Sequence, residues 1–68
     1  MKTSVYEADP FTTSKGPLLT EIETDYRFEK NDEIRLHLGG RSAKYRIIYV
    51  SVELRDGRLS RELVALKI

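Results

Sequence analysis

The 68-residue chain predicts an all-β fold, a single small antiparallel meander curled into a partly open barrel. Three observations carry that expectation. Asp56-Gly57 lies between two β-branched and apolar runs, Ala43 to Leu54 and Leu59 to Ile68, and this dipeptide tolerates the positive φ that both central positions of a type I′ turn demand. Two further turn signals, Lys30-Asn31-Asp32 and Gly39-Gly40-Arg41-Ser42, set apolar residues opposite apolar residues on the strands they join. The long hairpin also carries its apolar side on different faces near to and far from its turn, which a flat one-sided sheet does not satisfy but a coiled or bulged one does.

Residues 1–17 form the least determined segment: Ser4 to Ala8 reads as a short strand, Asp9-Pro10 as a turn and Thr12 to Pro17 as loop. Its large apolar groups are Val5, Tyr6 and Phe11, and the segment is expected to dock on the sheet over Ile48, Val50 and Val52, closing the barrel. Leu18 to Phe28 fits two periods. Leu18, Leu19, Ile22 and Tyr26 make a helical stripe, so a short helix over residues 18–24 is one reading. Strict alternation of Leu18, Thr20, Ile22, Thr24, Tyr26 and Phe28 makes a strand, the preferred reading because it leaves Glu21, Glu23, Asp25 and Arg27 together outside.

The turn at residues 30–32, where Asn or Asp supplies a left-handed residue, sets Phe28 against Ile34, Tyr26 against Leu36 and Thr24 against Leu38. The turn at residues 39–42 sets Leu38 against Ala43, Leu36 against Tyr45 and Ile34 against Ile47. Across Asp56-Gly57, Leu54 faces Leu59, Val52 faces Arg61 and Val50 faces Leu63. Farther from that turn Tyr49 faces Val64, Ile47 faces Leu66 and Tyr45 faces Ile68, with the change of face near Ile47-Ile48. The expected inner face is Tyr26, Phe28, Ile34, Leu36, Tyr45, Ile47, Leu66 and Ile68.

Composition bounds what such a chain does. At this length a fold hides only about 60% of the surface its unfolded form exposes, so there is one domain, a thin core and room for one small groove. There is no cysteine, which removes disulfides and thiolate metal sites and favours an intracellular, cytoplasmic protein. No apolar run approaches the roughly 20 residues of a membrane helix, and the opening residues lack the apolar block of a signal peptide. Twelve basic residues against eleven acidic ones give a formal charge of +1, so any electrostatic role depends on clustering rather than on net charge.

The expected registers produce one such cluster. On the outer face Arg27 lies beside Arg35, Arg35 beside Arg46 and Arg46 beside Lys67, with Lys44 and His37 in the next row and Arg41 in the adjoining turn. Like charges directly opposite on a sheet are unfavourable unless an anion covers them, and guanidinium groups present several donors in a plane that suits phosphate. The plainer reading is a solvated face in which Asp25, Glu29 and Glu33 interleave with the bases. Other residues point to chemistry less. His37 has no second metal ligand and no serine or cysteine nucleophile in a fixed relation to it. Gly39-Gly40 precedes no helix and so is no phosphate loop. Arg55, Arg58 and Arg61 gather about the hairpin tip, where a basic β-ribbon can enter a nucleic-acid groove but more often keeps an edge soluble, and Tyr45 and Tyr49, which could stack on bases, fall in the core by register. No catalytic, metal or cofactor-binding residue is assigned, and no cofactor is expected.

The run Phe-Glu-Lys-Asn-Asp-Glu-Ile-Arg-Leu at 28–36, followed by Lys-Tyr-Arg-Ile-Ile-Tyr-Val at 44–50, resembles the cadence of small SH3-like and PUA-like β-barrels. It departs from them in having Asn31 where a glycine commonly precedes the aspartate. The resemblance covers about forty residues and implies a non-enzymatic module that binds RNA, DNA or peptides, without naming a ligand or carrying over a binding residue. Two functions follow as expectations. One is nucleic-acid binding through Arg27, Arg35, Arg46 and Lys67, aided by Lys44 and Arg41. The other is protein interaction or self-association, as in a phage or accessory protein, through a sheet edge or the apolar face of Ile48, Val50 and Val52.

Overall fold

The computed structural model describes residues 1–68 and contains five strands and no helix. They are β1 (Lys2–Ala8), β2 (Lys15–Glu23), β3 (Glu33–Leu38), β4 (Arg41–Arg55) and β5 (Arg58–Lys67). They form one curled half-barrel sheet in the order β2-β1-β5-β4-β3. All neighbours are antiparallel except β1 and β5, which run parallel. This is the small all-β fold expected from the sequence and is consistent with an SH3-like barrel.

The β4–β5 hairpin has the predicted turn, with φ of 51° at Asp56 and 75° at Gly57, and the predicted pairs from Arg55–Arg58 to Tyr49–Val64. A bulge follows where the sequence calls for one, Ile48 being the extra residue between Tyr49 and Ile47. Its effect is to rephase the strand. Ile47 now faces Ala65 and Tyr45 faces Lys67, so Tyr45, Ile47, Val50, Val52 and Leu54 all project from one concave face. The apolar pattern that changes sides in the sequence is therefore gathered onto a single side, and Leu66, opposite Arg46, is carried to the convex one.

Val5, Tyr45, Ile47, Leu63 and Ala65 form the buried core, flanked by Leu19, Phe28, Ile34, Leu36, Ala43 and Val50. Val5 comes from β1, which enters the sheet as an interior strand, paired through Thr3–Arg61 and Val5–Leu63 on one side and Thr3–Ile22 and Val5–Thr20 on the other. Residues 2–8 are thus part of the sheet itself. Phe11 does not cover it: the loop that joins β1 to β2 turns on the Asp9 carboxylate, which accepts the N–H groups of Phe11 (2.8 Å) and Thr12 (3.0 Å) and leaves the Phe11 ring exposed. Gly16 is required by close approach, since a Cβ there would lie 2.6 Å from the Glu7 carbonyl oxygen.

Two further expected pairings are corrected. Residues 18–23 are extended as preferred, not helical, but β2 starts at Lys15, ends at Glu23 and pairs with β1 rather than β3. Residues 24–32 instead cross from one sheet edge to the other, bringing Phe28 onto the core and leaving Tyr26 exposed, edge-on to Phe28 at 4.8 Å. The crossing ends in a turn with left-handed Asn31 (φ 79°), held by Asn31 N–H to Ile47 O (2.7 Å) and Ile47 N–H to Asp32 O (2.8 Å). The β3–β4 turn uses only Gly39 and Gly40, with φ of 58° and 78°. Leu38 therefore faces Arg41, Leu36 faces Ala43 and Ile34 faces Tyr45. Two adjacent glycines satisfy both left-handed positions of a type I′ turn, so the tighter turn prevails over the four-residue one.

Candidate nucleic-acid interface

The registers break the expected basic stripe into three parts. Arg35 and Lys44 are directly opposite on the convex face of β3 and β4, and Arg46 follows on the same face opposite Glu33 rather than Arg35. Arg27 lies exposed on the crossing segment, outside any strand. Lys67 is opposite Tyr45, on the concave side, because the Ile48 bulge shifts β5 by one residue against β4. Arg41 also joins the concave side, opposite Leu38.

Glu33 neutralises part of the convex cluster. One oxygen lies 2.8 Å from Lys44 Nζ and the other 3.0 Å from Arg46 Nη2, and the Lys44 bond, then the Arg46 bond, lowers the Glu33 pKa. This is the interleaving of acids with bases that the plainer sequence reading describes, and it covers two of the six candidates. Arg27, Lys30, Arg35, Arg41 and Lys67 make no ion pair.

Charge is nonetheless polarised along the molecule. Around β3, the first half of β4 and the end of β5, seven bases (Arg27, Lys30, Arg35, Arg41, Lys44, Arg46, Lys67) stand against three acids (Glu29, Asp32, Glu33). The rest of the chain carries five bases against eight acids. A formal +1 thus conceals a basic pole with an excess of four charges and an acidic remainder with an excess of three.

At the basic pole a groove of about 230 Å³ has an apolar floor of Leu36, Leu38, Ala43 and Tyr45, bordered by Arg41 and Lys67. The Tyr45 ring is buried, and burial, then the nearby Glu7 carboxylate, raises its pKa, so it presents a neutral phenol. A larger hollow of about 870 Å³ beside the Asp56-Gly57 turn is bordered by Lys2, Arg55 and Arg58 but also by Glu23, Glu53 and Asp56, and so has no single-sign field.

Arg61, which the sequence places with the soluble tip, is instead buried on the concave face. Its Nε and Nη2 donate to Thr3 Oγ1 (3.1 and 2.9 Å), Nη2 also reaches the Thr24 carbonyl (3.3 Å), and the guanidinium lies 5.0 Å from the Phe28 ring centre. It ties the crossing segment to the sheet. The sequence signal was its position opposite Val52 on an otherwise apolar face. His37 is exposed opposite Ser42, and no three His, Cys, Asp or Glu side chains gather as metal ligands.

Of the alternative apolar set, Val50 packs on the core and Ile48 is half-buried in the bulge, leaving Val52 exposed. Tyr49 is not core: the bulge turns it to the convex face opposite Val64, where it is exposed. Comparison with protein-family models, curated proteins and solved structures gives no match.

Proposed function

We propose that the chain is a non-enzymatic, cytoplasmic module that binds nucleic acid at its basic pole. The observation that supports this reading is the groove beneath Arg41 and Lys67. Two cations without carboxylate partners border an apolar floor, a combination that suits a phosphate on the rim and a base or sugar against the floor. Arg27, Lys30 and Arg35, also without ion pairs, extend the field, while Lys44 and Arg46 contribute through a shared Glu33. Replacing Arg41 and Lys67 together by Ala removes two phosphate contacts, so the slope of log affinity against log salt falls by about 1.4 for a single strand. Melting temperature stays unchanged, because both side chains are exposed. Absence of wild-type binding to single- and double-stranded probes at low salt defeats the proposal. In that event the exposed trio Val52, Leu54 and Leu59 on one face of the β4–β5 hairpin supports a protein-interaction or assembly module, as in a phage or accessory protein.

A further inference from the structure

The two edges of the half-barrel are complementary to each other. β2 pairs only with β1 and β3 only with β4. None of the seven backbone hydrogen bonds outside the ladders involves residues 18–23 or 33–38. Both edges therefore present an unoccupied row of N–H and C=O groups. Following the sheet from β2 through the antiparallel, parallel, antiparallel and antiparallel pairings to β3 shows that β2 and β3 run in opposite directions. A second copy approaching with the same face outward thus lays its β2 antiparallel against β3. We infer that the chain self-associates in this way, β3 of one copy adding to β2 of the next.

The side chains select one register. Thr20 and Ile22 share the concave face with Val5 and Thr3, and Leu36 and Leu38 share it with Ala43 and Arg41. Glu21 and Glu23 occupy the convex face of one edge; Arg35 and His37 occupy that of the other, beside a Glu33 already engaged by Lys44 and Arg46. Antiparallel pairing with Ile22 opposite Leu36 puts Thr20 opposite Leu38, Glu21 opposite His37 and Glu23 opposite Arg35. Ile22 and Leu38, 42% and 41% exposed, gain cover at the junction. A slip of one residue puts apolar groups against charged ones on both faces. A slip of two sets Glu23 against Glu33 in one direction and keeps only two of the four pairs in the other. Within the chain Glu21 takes a bond from Ser4 and lies near Lys2 through Oε2, and Glu23 meets the Met1 ammonium through Oε1, so each keeps its other oxygen for the junction. β3 carries none of the usual protections of an edge, having no proline and no inward-pointing charge, whereas Pro17, which lacks an N–H, limits pairing on β2 to the residues after it.

The test is a charge swap read by sedimentation equilibrium at low salt. The wild-type chain gives a mass above that of the monomer that rises with concentration. Glu23→Arg and Arg35→Glu each shift that rise to about tenfold higher concentration, while their circular dichroism matches the wild type. An equimolar mixture of the two recovers the wild-type behaviour, since each basic edge again meets an acidic one. A wild type that stays monomeric, or association that neither swap weakens and the mixture does not restore, overturns the inference. Both measurements contain no nucleic acid, so they are decided separately from the binding proposal.

Discussion

Removing the acceptor of Arg61 will cost more stability than removing Arg61. Arg61 is 7% exposed, and its guanidinium has no carboxylate within ion-pair distance and gives two of its hydrogen bonds to the single Thr3 hydroxyl. Thr3→Val keeps the shape and deletes the acceptor, stranding a buried cation. Hydrogen bonds to charged groups contribute about 1.5–3 kcal/mol, and an unsatisfied buried partner forfeits that and its desolvation. The expected loss is about 2–3 kcal/mol, which in a domain of this size lowers the melting temperature by roughly 10–20 °C. Arg61→Met retains the apolar stem over Phe28 and loses the cation–π contact and the bond to Thr24, but it also relieves the cost of burying the charge. The remaining Thr3 hydroxyl still donates to the Met1 carbonyl at 3.2 Å. Its expected loss is only about 1 kcal/mol. In the double variant Thr3→Val then adds almost nothing, so a double-mutant cycle in urea reports a coupling of about 2 kcal/mol. Additive losses, or Arg61→Met as the more damaging change, would refute the argument that the hydroxyl satisfies the guanidinium.

Ile47 is fully buried while Ile48 is half-buried at the bulge, so Ile47→Ala should cost about 2–5 kcal/mol and Ile48→Ala about half as much or less; equal losses in chemical denaturation would contradict the rephasing of β4. Stability should be level near neutrality and decline at both extremes of pH. The bonds from Lys44, then Arg46, lower the Glu33 pKa below 4.5, and the N–H groups of Phe11, then Thr12, lower Asp9 below 3.8. Both carboxylates therefore support the fold fully above those values and lose that support as pH falls through them. Tyr45, raised above 10.0 by burial and then by Glu7, withdraws its support only as pH climbs past 10. Melting curves across pH should show a shallower acid limb for Glu33→Gln, and an unchanged limb would remove Glu33 from the explanation.

What was legible in the sequence was what local chemistry dictates. Asp56-Gly57 sets a turn and the turn sets a register, so seven ladder pairs from Arg55–Arg58 to Tyr49–Val64 follow from neighbouring residues alone. Alternation in Leu18 to Glu23 announces a strand and its two faces but carries no information about the partner, so chain proximity points to β3 where β2 in fact pairs with β1. The parallel β1–β5 ladder has no turn signal at all, because Thr3 and Arg61 are separated by 58 positions. The candidate site suffered most, since it depended on three registers at once. The two-residue Gly39-Gly40 turn moved Arg35 from Arg46 to Lys44, the bulge moved Lys67 to the other face, and the crossing removed Arg27 from the sheet. The six candidate bases are grouped as a pole rather than a stripe.

The strand order has a consequence for how the chain is made. β5 is the last of the five strands to leave the ribosome, yet it joins the β1–β2 hairpin to the β3–β4 hairpin. Until Leu63 and Ala65 emerge, Val5 on one side and Tyr45 with Ile47 on the other have no common surface to bury, and neither hairpin alone has the three strands that independent stability requires. Synthesis therefore supplies two separate unstable pieces, and docking of β5 against β1 must close a loop of more than fifty residues in the same step that completes the core. Folding should be all-or-none and slow for a domain of this size, with the unpaired β2 and β3 edges both available to neighbouring nascent chains while it waits.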